Sequence, residues 1–194
     1  MNQDDTVNRY VDRSPMFDQQ NNEELDIYKI RKQNRHKIIF GQLNVNSLRN
    51  KFTVLSQIIK NTDVFLVSET KLDQSFPTTQ FEIPGFATPY RLDGDKHGGG
   101  LMLYVHSDLP SKLIKSESSY EGFFVKLNLK KLKWLICCTY NPNIQNINAH
   151  LEKVQSSLDS FLGNYERFLL LGDLNCEISK LSMPDFCESM NLTT

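Results

Sequence analysis

From Lys37 onward, hydrophobic residues recur in short runs with two different periods. Ile38–Asn44 is apolar on both faces, with Ile38 and Phe40 on one and Ile39 and Leu43 on the other, the pattern of an interior strand. Leu48, Phe52, Leu55, Ile58 and Ile59 then fall on one stripe, which predicts an amphipathic helix capped by Ser47 and closed by Asn61. Val64–Ser68 reads as a short buried strand, and so does Leu101–Val105. Between them, residues 73–100 are rich in Pro and Gly and end in Gly98-Gly99-Gly100, which predicts a long loop of the kind that carries function. Phe123, Val125, Leu127 and Leu129 alternate with Phe124, Lys126, Asn128 and Lys130, a half-exposed strand. A turn at Lys130–Lys133 and a returning strand Trp134–Tyr140 complete a hairpin. Leu151, Val154, Leu158 and Phe161 mark a second helix, Phe168–Leu171 a fully apolar strand, and Pro184 the start of a last helix over 185–190. Strand–helix–strand units mixed with hairpins predict an α/β sandwich, two sheets face to face with helices outside; an open doubly wound sheet is the alternative.

Residues 1–37 follow neither period. They hold nine Asn and Gln, and seven acidic against seven basic residues, which predicts a polar, disordered arm preceding a domain over 38–194. The arm ends on Lys29, Arg31, Lys32, Arg35 and Lys37, a run that suits either a solvated linker or a nucleic-acid contact. The whole chain of 194 residues carries a net charge of -1, which excludes binding of nucleic acid through bulk charge but leaves room for a local basic patch. Such a patch is available in Lys112, Lys115, Lys130, Lys131 and Lys133, which suit backbone phosphates as well as a solvated hairpin face. No apolar run reaches the roughly 18 residues of a membrane span, and the polar, acidic first residues do not resemble a secretory leader. The four cysteines form no Cys-x-x-Cys pair and read as buried thiols rather than a disulfide or zinc framework.

Polar residues collect where the most apolar strands end: Asn44-Val45-Asn46, Ser68-Glu69-Thr70-Lys71, Tyr140-Asn141-Pro142 and Gly172-Asp173-Leu174-Asn175. Ligand sites in α/β folds form at such strand ends. Carboxylates and amides are hard oxygen donors that suit Mg²⁺, which takes few carboxylates and completes its shell with water and substrate phosphate. No Gly-x-Gly-x-x-Gly or Walker A sequence is present, which leaves a nucleotide site of either kind without support. Each residue also has an ordinary use: Glu69 as a first loop residue, Asp173 and Asn175 as turn formers, Tyr140 as a rim aromatic.

Taken in order, Leu43–Lys51, Ser68–Asp73, Gly98–Gly100, Tyr140–Pro142 and Gly172–Asn175 resemble the endonuclease/exonuclease/phosphatase superfamily over about Lys37 to Thr194. Asn44-Val45-Asn46, Leu72-Asp73 and Phe81–Phe86 are most similar to the endonuclease domain of LINE-type, non-LTR retrotransposons. The resemblance implies a four-layer α/β/β/α sandwich of two mixed sheets. It implies Glu69 as the principal ligand of Mg²⁺ or Mn²⁺ with Asn44 beside it, and Asp173 as the group that orients or activates water. Asn175 and Tyr140 would hold the scissile phosphate, with Asn46 in support behind them. It implies DNA as the partner, nicking that frees a 3′-hydroxyl, nuclear access, no membrane, and a reverse transcriptase downstream. The family pattern closes on a Ser/Asp-Asp-His motif, whereas His36, His97, His106 and His150 all precede Asp173, and His97, His106 and His150 read as surface residues. The expectation is therefore an N-terminal fragment whose C-terminal strands are missing and whose activity is incomplete. The alternatives are an inactive remnant or interaction module on the same scaffold, or a phosphatase or phosphodiesterase of the same superfamily.

Overall fold

The computed structural model describes residues 26–94, 98–142, 146–161, 163–176 and 186. Two sheets carry the fold. The first has the order β1-β2-β4-β3, from β1 (Phe40–Asn44), β2 (Val64–Ser68), β3 (Tyr90–Leu92) and β4 (Leu101–Val105). The second has the order β5-β6-β7-β8, from β5 (Ser111–Ser116), β6 (Glu121–Leu129), β7 (Leu132–Tyr140) and β8 (Arg167–Asp173). Each sheet pairs one parallel couple with antiparallel neighbours: β1 with β2, and β7 with β8, are parallel. A parallel couple needs a crossover, and helices supply both. The helix α2 (Phe52–Ile59) joins β1 to β2, and α3 (Ile147–Asp159) joins β7 to β8.

Period-2 alternation sends side chains of each inner strand to two different cores. Val64 and Leu66 of β2, Leu101, Leu103 and Val105 of β4, Phe123, Val125 and Leu127 of β6, and Ile136 and Cys138 of β7 meet between the sheets. The opposite faces of β2 and β4, Phe65, Val67, Met102 and Tyr104, are covered by Leu55 and Ile59 of α2. The opposite faces of β6 and β7, Phe124, Leu135 and Cys137, are covered by Leu151, Val154 and Leu158 of α3. The result is the four-layer α/β/β/α sandwich. The doubly wound alternative is excluded by the two separate sheets.

Several local expectations are corrected. Ser47 does not cap α2; it sits at φ 86, and the helix starts a turn later, after Lys51. The backbone of Ser47 and Leu48 is bonded instead to Glu69 and Thr70, which holds this stretch out of helical geometry. Asn61 closes α2 as expected, with Nδ2 on the Gln57 carbonyl at 2.8 Å. The strand β6 is buried on both faces through Val125 rather than half-exposed, because α3 covers its outer side. In contrast, β8 is only half-buried along Phe168–Leu171, since it lies at the end of its sheet. Phe161 lies beyond α3 but still reaches Phe124, ring centroids 5.0 Å apart. The loop over 73–100 contains a 3-10 turn at Thr78–Phe81 and the short β3. The arm expected over 1–37 carries a helix, α1 (Asp26–Gln33), which Arg31 ties to Asp63 with Nη2 to Oδ2 at 2.6 Å. Of the last helix, expected over 185–190, only Phe186 is described, helical and buried against the α3 side of the second sheet; His97 and Cys187 lie outside the described residues. Cys137 and Cys138 are buried free thiols, as read from the sequence. No helix among the described residues is long and apolar enough to cross a membrane.

Leu103 is fully buried between the sheets. Leu103→Ala is expected to lower unfolding free energy by about 2–5 kcal/mol, through lost transfer energy plus the cavity left behind. A shift of the urea midpoint at unchanged slope checks it.

Candidate active site

The two parallel couples end on the same side of the sandwich, and each contributes to one cleft. Asn44 is the last residue of β1, Glu69 follows β2, Tyr140 ends β7 and Asp173 ends β8. The register sets Asn44 opposite Ser68 within one sheet and Tyr140 opposite Asp173 within the other. The sheets are joined at this edge by Gln42. Its Nε2 donates to the Gly172 carbonyl at 2.8 Å and its Oε1 accepts the Gly172 N–H at 2.7 Å, so one side chain acts as a ladder partner for β8.

At the centre is the amide of Asn44. Its Nδ2 donates to Glu69 Oε1 and to Asp173 Oδ2, both at 2.7 Å. Its Oδ1 accepts the Asn46 N–H at 3.0 Å, which fixes the amide plane. Two carboxylates brought to one atom repel each other unless positive charge stands between them; here the amide hydrogens do so. Tyr140, almost fully buried, donates its hydroxyl to Glu69 Oε1 at 2.9 Å. Burial, followed by the hydrogen bond and charge of Glu69, pushes the Tyr140 phenol far above its ordinary value. It stays protonated and remains a donor at any physiological pH. Asp173 Oδ1 accepts the Asn175 N–H at 2.9 Å, which leaves Oδ2 toward the cleft.

The residues around this core are held by backbone pairing beyond the strand ends. Val45, Ser47 and Leu48 donate to the carbonyls of Ser68, Glu69 and Thr70, and Thr70 and Lys71 donate to those of Gly100 and Gly99. Glu69 and Lys71 are thereby fixed at φ 53 and 51, a left-handed conformation uncommon outside glycine and typical of functional sites. The glycine triplet has φ of 131, 78 and 93. A Cβ on Gly100 would collide with Thr70 Oγ1, and one on Gly99 with the Glu121 carboxylate. Glu121 also accepts the Gly100 N–H. The triplet therefore clamps the Glu69 loop from behind. Asn175 Nδ2 donates to the Asn141 carbonyl at 2.8 Å while its side chain also bonds that of Tyr140, and Asn141 in turn donates to the Asp173 and Leu174 carbonyls.

Every site residue expected from the sequence is thus at one strand-end cleft: Asn44, Glu69, Tyr140 and Asp173 in direct contact, with Asn46 and Asn175 bonded to their edges. Four supporting residues had no comparable signal. Gln42 and Glu121 are polar positions of strand sequences that carry no motif. Asn141 and Lys71 lay in the motifs without a role; Lys71 Nζ donates to Asn46 Oδ1 and lies 3.8 Å from Glu69 Oε2. His150, expected at the surface, is on the buried face of α3: its Nε2 is 2.9 Å from Thr139 Oγ1 and Tyr120 packs edge-on against its ring. Burial, with Lys153 nearby, pulls its imidazole down to about 4. Thr139 and Tyr140 point to opposite faces of β7, so His150 has no access to the cleft. Lys130 and Lys131 form the β6–β7 turn, at the far end of β7 from Tyr140, and so stand away from the cleft.

Among the described residues no three His, Cys, Asp or Glu side chains cluster as a metal cage. The donor set still fits a hard divalent cation. Glu69 and Asp173 offer oxygens to a common point, and a half-rotation of the Asn44 amide exchanges nitrogen for oxygen there. Mg²⁺ asks for one or two carboxylates and fills its shell with water and substrate.

The molecule is a two-sheet α/β sandwich with one polar cleft at the ends of its parallel strands. The chain belongs to the Endonuclease/Exonuclease/phosphatase family, whose model matches residues 41–193. Among solved structures it is similar to the human Nocturnin catalytic domain at 14% identity and TM-score 0.62, covering 78% of this chain and 69% of that one. It is also similar to a family protein from Bacteroides thetaiotaomicron, at 14% identity, TM-score 0.57 and coverage of 78% and 68%. An AP endonuclease from Archaeoglobus fulgidus matches at 18% identity, TM-score 0.55 and coverage of 78% and 63%. No curated protein matches the sequence.

Two outcomes follow from this geometry. His150 binds a proton more readily in the unfolded chain, near 6.5, than in the folded one, near 4. Its contribution to stability is present above 6.5 and is lost as pH falls through that window to about 4. Urea midpoints across the window should therefore decline less steeply in His150→Gln than in the parent. Gly100→Ala should displace the Glu69 loop and weaken Mn²⁺ binding at least ~10-fold, the lower range for disturbing a residue that supports a ligand; titration calorimetry reads it.

Proposed function

We propose that this chain hydrolyses phosphate esters with the help of a divalent cation, Mg²⁺ or Mn²⁺, and that its substrate is the phosphodiester backbone of DNA. The observation that carries the reading is the Asn44 amide shared by Glu69 and Asp173, with the Tyr140 hydroxyl on the same carboxylate. Glu69 and Asn44 would hold the cation, which when bound would stabilise negative charge on the phosphate. Asp173 Oδ2 faces the cleft and is oriented by the Asn175 N–H, so it is placed to accept a proton from attacking water. Tyr140, kept protonated, donates to a non-bridging phosphate oxygen when substrate displaces its bond to Glu69. Asn175 helps to hold that phosphate once its amide leaves Asn141. Water adds to phosphorus, the P–O3′ bond breaks and O3′ takes a proton from solvent, leaving a 3′-hydroxyl and a 5′-phosphate.

DNA as the substrate is supported by the kinds of protein that share the fold, an AP endonuclease among them. A 3′ phosphatase from Neisseria bound to a product DNA hairpin is another, at 17% identity and TM-score 0.50. A phosphatase or phosphodiesterase of smaller substrates is the second reading, favoured by the breadth of the family description itself. The narrower assignment to a retrotransposon endonuclease with a downstream reverse transcriptase rests on sequence motifs. In the fold, Leu72, Phe81 and Ile83 of those motifs are buried under α2, and Asp73 accepts the N–H and hydroxyl of Ser75. They shape the loop rather than line the cleft, which is why this finer reading is carried by likeness alone.

Nicking of supercoiled plasmid with Mg²⁺ tests the proposal, beside release of phosphate from a 3′-phosphorylated oligonucleotide. Glu69→Ala and Asp173→Asn should each lower the rate by about 10²–10⁴-fold. Equal activity in Glu69→Ala, or hydrolysis unaffected by EDTA, would overturn it.

A further inference from the structure

The lysines of the β5–β6–β7 sheet are not part of the cleft. Tyr140 and Lys131 stand at opposite ends of β7, whose nine residues span roughly 26 Å at ~3.3 Å each. At that distant end the register gathers positive charge. Lys112 of β5 is directly opposite Lys126 of β6. Lys126 is opposite Leu135 of β7, and Lys133, two residues before Leu135, is opposite Asn128. Alternation puts Lys126 and Lys133 on the outward face with Phe124 and Leu135. Lys130 and Lys131 form the adjoining turn.

Two features of this surface run against local stability. Like charges directly opposite on neighbouring strands repel, yet Lys112 and Lys126 are so placed. A two-residue hairpin turn with both φ positive selects Asn-Gly, yet Lys130 and Lys131 hold φ 48 and 72. Among the described residues, none of the five ammonium groups has a carboxylate within 4.0 Å. Glu166 is the nearby acid; its carboxylate accepts the Lys133 backbone N–H at 2.6 Å, and that bond, with the charges of Lys133 and Arg167 further off, holds it below its ordinary value. Since the chain as a whole has a net charge of -1, this is a local concentration of charge and not a general excess.

We propose that Lys112, Lys126, Lys130, Lys131 and Lys133 form a second nucleic-acid-binding surface, which holds phosphate backbone at the end of the sandwich opposite the catalytic cleft. A row of ammonium groups without a close ion pair, at strand spacing, is complementary to a regular array of phosphates, and such contacts give affinity without reading sequence. The surface tethers the protein to a strand while the cleft acts on another segment. The choice of ligand rests on the phosphodiesterase reading, but the test is independent of hydrolysis.

The experiment is fluorescence anisotropy of a labelled DNA duplex of about 25 base pairs, with EDTA, between about 50 and 200 mM salt. All proteins carry Glu69→Ala, so that cleavage plays no part. The expected result is that Lys112→Gln/Lys126→Gln/Lys133→Gln weakens binding and lowers the slope of log K against log salt by about 2.7, three contacts at ~0.9 each. A control with the same charge change elsewhere, Lys60→Glu/Lys153→Gln, should leave the slope unchanged. Because all five positions are surface lysines, equal melting temperatures serve as the check on folding. Equal loss in both variants would show a net-charge effect and overturn the proposal. So would unchanged DNA binding in the first variant, including the case where only its binding to phosphatidylserine vesicles is lost. Absence of hydrolysis in the Glu69-containing protein, with lysine-dependent binding intact, would count against the catalytic reading alone.

Discussion

The structure is organised around one amide that keeps two carboxylates together. Asn44 joins Glu69, from its own sheet, to Asp173, from the other. Without a donor between them the two acids would repel across the cleft, and among the described residues nothing else bridges them so directly. The surrounding order serves that arrangement. Gln42 fastens β1 to β8 at Gly172, one residue before Asp173, so the sheet-to-sheet spacing is set next to the residues that use it. Gly172 has to be glycine, since a Cβ there would meet the Thr139 carbonyl.

The fold and the site share a single logic. Each sheet contains one parallel couple joined by a helix, and parallel strands end together. Two such couples packed face to face bring four strand ends to one place. Apolar burial between the sheets fixes how the ends align, through residues such as Leu66, Leu103, Val125 and Ile136. The polar cleft is then the rim of that core: Tyr140 belongs to the core through its ring and to the site through its hydroxyl. This is why a buried tyrosine, held protonated by its surroundings, can act as a fixed donor.

Much of this was legible in the sequence because the signals were periodic or terminal. The strands at 64–68 and 101–105 follow from uninterrupted apolar runs, and the site residues stand directly after such runs. What was not legible depends on partners distant in the chain. The cover that α3 places on β6 cannot be read from β6, so Phe124 looked half-exposed. His150 looked like a surface residue because its partners, Thr139 and Tyr120, come from other strands and loops. Ser47 has the right residue type to cap a helix, but tertiary hydrogen bonds from its own and the next N–H to the Glu69 loop override that local preference. Gln42 and Glu121 carry no motif, since their role is to bond backbone groups that only the assembled sheets bring near.

The separation of the central residues along the chain has a temporal meaning. Asn44 and Asp173 are 129 positions apart, and their bond requires the last described strand to be in place. Such contacts close late in folding, because loop-closure entropy must be overcome before they form. During synthesis at about 5–20 residues per second, the ribosome adds the stretch from Glu69 to Asp173 over several seconds. Throughout that interval Asn44 and Glu69 exist without their counterpart, and the cleft has no partial form. Assembly of the cleft thus reports that β8 has docked.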